Sequence, residues 1–456
     1  MKNIKSKKSI IKLTGIIITS LVVGILILHL FPKNAANKRD VNIILIVVDA
    51  LRVDHLSCYG YQRETSPHID RLAAEGTMFT QAISAGSWTG ESVSSILTGT
   101  YSYIHQAIYW NEPRNPSIKL LPQHLKKKGF KSILLSNHDA MSMVDIMDGF
   151  DLIYIKNPDE INAHQLTLKA IEWIKQNKDR PFFVYLHYLG PHAPYKLPKP
   201  YKSKYVNDRF RVKKEIPIDW NNARIAEKGK IPNIVVENNI QDIDYYIAQY
   251  DGAISYTDAQ IGCLLDNLRQ RELLKNTIVI ITADHGEEFG EHEIYFNHLN
   301  CYEGNIRVPL IIKFPEFFPK RKIISQQVSL TDITPTILAT LKLDIPDFVQ
   351  GKSLMPLLRK DTLKFHPYVY TSQYPQRSIR SENWKLILND TSCELYNLIE
   401  DPQEKYNLAN VKIDKLMEMN AVLVTYEGEA VVSGWERTES LTEKQKERLR
   451  SLGYIR

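Results

Sequence analysis

The stretch Val41 to Val48 is an almost continuous run of β-branched and aliphatic residues that stops abruptly at Asp49, and it constrains the fold more than any other part of the chain. A run of this kind reads as a strand buried on both faces, at home inside a parallel sheet. Ile278 to Thr282 repeats the pattern and ends in Ala283-Asp284-His285-Gly286, and Phe182 to Leu186 is a third such run, followed by His187 and then Gly190-Pro191-His192-Ala193-Pro194. Three such runs are consistent with the parallel sheet of an α/β architecture. Groups just past the carboxyl ends of such strands face the ligand crevice. A lone Asp there is ordinarily a turn or cap residue, but here the pattern recurs. Asp49, Asp284 and His285 would make a mixed oxygen and nitrogen site for one divalent cation.

A second feature lies between Gly86 and Tyr101. Gly86 and Gly90 flank a short polar turn, after which Val93, Ile96 and Leu97 recur at helical spacing until Gly99. Thr89 therefore falls at a helix N-terminus, where free backbone N–H groups and the positive end of the helix dipole favour a phosphate or sulfate group. Its hydroxyl could attack that group and serve as a further metal ligand, activated by the ion. The plain alternative is that Thr89 is an N-cap, the commonest use of threonine at such a place. His192, held between two prolines, and His298, in Phe296-Asn297-His298-Leu299, are candidates to contact substrate or protonate a leaving oxygen.

Composition excludes little. The 456 residues are 43% hydrophobic and 24% charged with net charge +6, an ordinary globular balance. No long basic run with interleaved aromatics occurs in the body, so no nucleic-acid partner is expected. Cys58, Cys263, Cys301 and Cys393 are widely spaced, which excludes a zinc knot and leaves room for a single disulfide.

The chain opens with a basic segment, 1–12, then an uncharged run from Leu13 to Phe31 long enough for a bilayer-spanning helix. Five lysines precede it against Lys33, Lys38 and Arg39 behind. The positive-inside rule then predicts a single-pass cell-membrane protein with its N-terminus cytoplasmic and its catalytic body extracytoplasmic. A cleaved signal peptide is the rival reading, and it too exports the body. A polar connector, 32–39, leads to a core domain over 40–360 and a smaller C-terminal subdomain over 361–456, in which Tyr368-Val369-Tyr370 and Lys385 to Leu388 read as short strands and Lys412 to Val424 as a helix. Tyr195 to Asn239, rich in Lys and Arg, reads as a long excursion, either a binding loop or a solvated surface. Asp251 and Asp258, on an amphipathic helix ending before Arg271, read as structural.

Beyond Asp40 a series of segments resembles the sulfatase family of the alkaline phosphatase superfamily: Val47-Val48-Asp49-Ala50-Leu51-Arg52, Cys58-Tyr59-Gly60, Ser66-Pro67-His68-Ile69-Asp70-Arg71-Leu72-Ala73, Ile96-Leu97-Thr98-Gly99, Thr282-Ala283-Asp284-His285-Gly286, Arg307-Val308-Pro309-Leu310 and Leu395-Tyr396-Asn397-Leu398 before Asp401-Pro402. The resemblance implies an alkaline-phosphatase-like α/β fold, with a mostly parallel central sheet flanked by helices and a smaller C-terminal α+β subdomain. It also implies Asp49, Asp284 and His285 as metal ligands, Thr89 at the nucleophile position, and His192 and His298 near the substrate.

The departures decide the chemistry. Family members with sulfatase activity carry a Cys or Ser, oxidised to formylglycine, in a Cys/Ser-x-Pro-x-Arg segment. Aligned on Leu97-Thr98-Gly99, this chain has Thr89, Glu91 and Val93 at those three positions, Leu135-Ser136-Asn137-His138 where a Gly-Lys motif is expected, and Ala50 in place of a second acidic ligand. Threonine cannot become formylglycine. The pattern resembles the superfamily's phosphoethanolamine transferases and lipoteichoic acid synthases, which use an unmodified threonine. The resulting expectation is a metal-dependent hydrolase or transferase of phosphate (di)esters or phosphonates acting through a phosphothreonine-type intermediate. A sulfatase without formylglycine and an inactive anion-binding member are the alternatives. His285 suits manganese or zinc better than calcium, with magnesium also open. The substrate would be a phosphate or sulfate ester, with a lipid headgroup or surface glycan among its forms.

Overall fold

The computed structural model describes residues 41–108, 113–207, 214–221, 225–359 and 364–432. The first aliphatic run forms strand β1 (Asn42–Val48), and every one of its residues is buried. Because successive side chains point to opposite faces, this burial means that the sheet is covered on both sides. Strand β2 (Thr77–Ile83), β3 (Lys131–Ser136), β4 (Leu152–Ile155), β5 (Phe182–Tyr188), β6 (Thr277–Thr282), β7 (Arg307–Lys313), β8 (Lys322–Ile324) and the short β9 (Val328–Ser329) complete a nine-stranded sheet. Its order is β8-β2-β7-β6-β1-β5-β3-β4, with β9 also on β2. All pairings are parallel except those of β7, which runs antiparallel to both β6 and β2.

Helices α1 (Pro67–Glu75), α3 (Ala163–Asn177) and the long α4 (Ile243–Gln270) pack together. Helix α2 (Thr89–Thr98) belongs to a separate group with α5 (Ile333–Thr340). Asp258 and Asp251 join α4 to the first group of elements. Asp258 accepts the backbone N–H of Ile69 at 2.8 Å, and Asp251 takes Arg63 Nη1 and His55 Nδ1 at 2.7 Å each. Both are structural, as their sequence context suggests.

A second sheet, β10 (Val369–Gln373), β11 (Gln376–Arg380), β12 (Trp384–Leu388) and β13 (Cys393–Asn397), is antiparallel in simple order and packs against helix α6 (Ile413–Val432). Its first strand is stitched to the turn before α2. Ser372 N donates to the Ala85 carbonyl at 3.1 Å, and Thr371 Oγ1 donates to the Ser84 carbonyl at 2.7 Å.

Three expectations change. Strand β5 runs two residues further than its apolar run, so His187 and Tyr188 lie inside the strand, where the parallel ladder to β1 continues through Val47↔His187 and Val48↔Tyr188. The four cysteines are free, so the single disulfide is not formed. The expectation of a single-pass membrane protein is corrected as well: among the described residues no helix is long and apolar enough to cross a membrane. The stretch Leu13 to Phe31 and the other segments of 1–40 on which that expectation rested lie outside the described residues, as does the C-terminal end past 432.

Candidate metal centre and nucleophile

Register assembles the site. Ser136 of β3 pairs with His187 of β5, His187 with Val47 of β1, and Val47 with Thr282 of β6. Four adjacent parallel strands therefore end at one level. Just past that level stand His138, Asp49, Asp284 and His285, with His187 on the last turn of the ladder. The sequence predicts Asp49, Asp284 and His285 together, and their ligand atoms do converge within 4.8 Å of one another. Asp49 Oδ1 lies 3.2 Å from His285 Nε2, which lies 3.7 Å from Asp284 Oδ2.

A second group shares Asp49. Its other oxygen, Oδ2, is 3.0 Å from His138 Nδ1 and 3.7 Å from His187 Nε2. Sequence reasoning did not find these two histidines. His187 showed only as a residue after a strand, and His138 only as a departure from a Gly-Lys motif. The available signal was the recurrence of His or Asp at the ends of all four central strands.

The donor set fits a divalent cation. Asp49 is fully buried, yet neither of its carboxylate oxygens has a hydrogen-bond partner, and the same holds for Asp284 Oδ2, His285 Nε2 and His187 Nε2. Buried polar atoms left this way are rare. Two donors each about 2.1 Å from an ion stand roughly 3.0 to 3.4 Å apart at octahedral to tetrahedral angles, close to the separations here. The imidazoles are oriented for it. His285 Nδ1–H donates to the Gly286 carbonyl at 2.9 Å, and His187 Nδ1 meets the Tyr185 hydroxyl at 3.3 Å, so that Nε2 faces inward in each case.

Electrostatics follow from burial and proximity. Burial alone would raise the Asp49 carboxyl, but His192, His138, His187 and His285 together hold it well below the usual carboxylate range. Burial would likewise lower His285, but the Asp284 and Asp49 carboxylates outweigh it and lift the imidazole to about 10. A divalent cation would take the place of that proton. His192 and His298 are lowered, chiefly by burial and by neighbouring imidazoles. Both sit over the centre: His298 stacks on His285 with centroids 4.1 Å apart, and His192 lies 5.3 Å from His298 and 6.0 Å from His138. His192 Nδ1–H donates to the Ala193 carbonyl at 2.6 Å, leaving Nε2 as an acceptor.

Thr89 is the first residue of α2, and the N-cap is Trp88, whose backbone is extended and whose side chain makes no capping bond. The plain reading of Thr89 as the cap is thus replaced. Gly90 is required next to it, because a Cβ there would collide with the Trp88 ring. The first turn of α2 is lashed to the metal-side strand: Ser92 Oγ donates to the Asp284 carbonyl at 2.7 Å, and Ser84 Oγ lies 2.9 Å from Ser92 Oγ. Behind the turn, Glu91 takes a hydrogen bond from Ser372, and burial pushes its carboxyl up to about 8. Thr89 itself is 4% exposed.

Known proteins agree with this architecture. The family model described as Sulfatase matches residues 41–343, and one described as N-sulphoglucosamine sulphohydrolase, C-terminal, matches 290–424. An arylsulfatase of Clostridium perfringens is 27% identical, covering 81% of this chain and 90% of its own length. An N-acetylglucosamine-6-O-sulfatase of Bacteroides thetaiotaomicron is 25% identical over 83% of this chain and 84% of its own. Among solved structures, a protein in complex with its substrate D-glucosamine-2-N,6-O-disulfate superposes with a TM-score of 0.74 at 21% identity over 88% of this chain and all of its own. A phosphonate monoester hydrolase of Agrobacterium radiobacter gives 0.70 at 19% identity over 86% and 96%.

Proposed function

The chain belongs to the sulfatase family of hydrolases, and from that premise we propose that it is a metal-dependent enzyme acting on phosphate (di)esters or phosphonates with Thr89 as its nucleophile. The observation that carries this reading is the placement of an unmodifiable threonine at N1 of α2, in a turn tied by Ser92 to the backbone of Asp284. Asp49, Asp284 and His285 would hold the cation, with the Thr89 hydroxyl as a further ligand. When bound, a divalent cation supplies Lewis acidity and positive charge at that hydroxyl.

The residues of the chain divide the remaining work. Thr89 Oγ1 gives up its proton and forms a bond to phosphorus while the bond from phosphorus to the ester's alcohol oxygen breaks in line; that oxygen departs with one proton as the alcohol, leaving a phosphothreonine. The backbone N–H groups of the first turn of α2 stabilise the equatorial oxygens. His192, whose Nδ1–H is committed to the Ala193 carbonyl, presents an Nε2 lone pair; it suits the second half-reaction, taking the proton of the water or alcohol that resolves the intermediate. His298, kept neutral by burial, contacts the substrate oxygen. Beside the His192 turn, a cavity of about 540 Å³ is lined by Tyr195, Tyr246, Tyr256, Asn162, Gln249 and Lys202. Its mix of aromatic faces and hydrogen-bonding groups suits a sugar-bearing substrate.

A sulfate ester is the second reading, favoured by the names of the relatives. The full-length protein, supplied in turn with manganese, zinc, magnesium and calcium, is assayed on chromogenic phosphate diester, phosphonate, phosphate monoester and sulfate ester. Diester or phosphonate turnover that disappears in Thr89→Ala is the expected result. Metal-dependent sulfate release alone would transfer the assignment to the second reading, and unchanged turnover by Thr89→Ala would remove the threonine from the mechanism.

A further inference from the structure

Glu91 is the acidic residue in the first turn of α2, and the proposed chemistry gives it no work. A glutamate at the third helical position ordinarily sits in water and reaches back to cap the first N–H groups. Glu91 is fully buried instead; its Oε1 takes the Ser372 hydroxyl, and its Oε2 has no hydrogen-bond partner. A buried carboxyl half satisfied in this way costs stability that an apolar side chain of its size would not. Such local breaches of good packing belong where function needs them. Gly86 admits the side chain, because a Cβ at that position would lie 2.6 Å from Glu91 Cγ.

What Glu91 joins accounts for its burial. The turn holding Thr89 is pinned to one strand, β10, from both sides. Before Thr89, Thr371 Oγ1 donates to the Ser84 carbonyl at 2.7 Å, Ser372 N to the Ala85 carbonyl at 3.1 Å, and Ser87 Oγ to Gln373 Oε1 at 3.3 Å. After Thr89, the tie is Glu91 to Ser372, whose hydroxyl also lies 2.5 Å from Ser102 Oγ. We propose that Glu91 is a positioning residue: pinned on Ser372, it sets the angle at which residue 89 leaves the turn, so that the C-terminal sheet keeps the nucleophile in line. This rests on the reading of Thr89 as nucleophile, and Glu91 acts through the turn rather than on the substrate. Without the tie, α2 stays in place through Val93, Ile96 and Leu97 in the core, while its first turn is free to shift. A displacement of about 1 Å at an attacking atom costs about 10²-fold in rate.

The test follows Thr89 phosphorylation in time. Full-length wild type, Glu91→Ala, Glu91→Gln, Ser372→Ala and the double variant Glu91→Ala/Ser372→Ala are melted to confirm folding and mixed with the phosphate or phosphonate ester turned over best. Phosphate on Thr89 after acid quench is measured by mass spectrometry, alongside steady-state kcat and KM. Glu91→Ala and Ser372→Ala are each expected to slow both Thr89 phosphorylation and kcat by about 10²-fold with KM unchanged. The double variant is expected to fall no further than either, and Glu91→Gln, which keeps an oxygen acceptor for Ser372, to stay near wild type. A merely structural carboxyl would lower Tm and leave these rates alone. That result in either folded single variant would overturn the proposal, as would additive losses in the double variant or a Gln variant as slow as the Ala one. Ser372→Ala removes one small hydroxyl, so it decides the matter even if Glu91→Ala does not fold. Wild-type turnover with no phosphate on Thr89 would instead overturn the nucleophile reading.

Discussion

On the proposed reading, Thr89 is what separates a phosphoryl enzyme from a formylglycine enzyme. A primary hydroxyl can replace the secondary one without leaving its place at N1 of α2, whereas a methyl group cannot attack phosphorus. Steady-state kinetics should therefore show Thr89→Ser retaining measurable kcat and Thr89→Ala losing at least about 10³-fold in kcat with little change in KM. Equal losses in the two variants would argue for a role in shape rather than in bond formation. At this scale the sequence was partly legible. Asp49, Asp284 and His285 could be read as one cluster because they follow two aliphatic runs of the same kind. His138 and His187 were not grouped with Asp49, since what brings them together is the register between β3, β5 and β1, and no local pattern encodes register across strands so far apart in the chain.

Among the elements, α4 links the sheet to α1 through one buried carboxyl. Asp258 accepts the N–H of Ile69 and His68, but burial outweighs those bonds and raises it from 3.8 to about 7. The folded chain thus holds a proton that the unfolded chain releases near pH 4, so this group's contribution to stability is complete below about pH 4 and is lost as pH rises through 7. Asp258→Asn cannot ionise, and its Tm relative to wild type is expected to rise between pH 5 and 8; a difference that is flat or falls over that range would contradict the assignment. Strands β1, β5 and β6 were legible from their aliphatic runs. The length of β5 was not, because His and Tyr break the apolar pattern while the ladder to β1 continues. The helix near the C-terminus likewise extends past its periodic stretch, to Val432.

At the scale of the molecule, the central sheet, whose strands run from Asn42 to Ser329, is joined to the C-terminal sheet through the hydrogen bonds of Thr371 and Ser372 to the turn before α2. The order of the segments that resemble the sulfatase family made the fold class readable, and the family model over 41–343 bears it out. Localisation was not readable from flanking charge alone. With its ligand atoms buried and unpartnered, the chain should depend on metal for stability. Bound ion at about a thousand times its dissociation constant stabilises by about 4 kcal/mol. Chelation is therefore expected to lower Tm by several degrees, reversibly on adding manganese or zinc, and an unchanged Tm would speak against the ligand set.

The covalent intermediate is the central claim, and trapping it is the most direct test. Full-length protein turning over a phosphate ester is quenched in acid, digested and mapped by mass spectrometry, with Thr89→Ala alongside. Phosphate on Thr89 in wild type and on no residue of the variant is the result predicted here; turnover with no phosphorylated peptide, or with the label on another side chain, would contradict it.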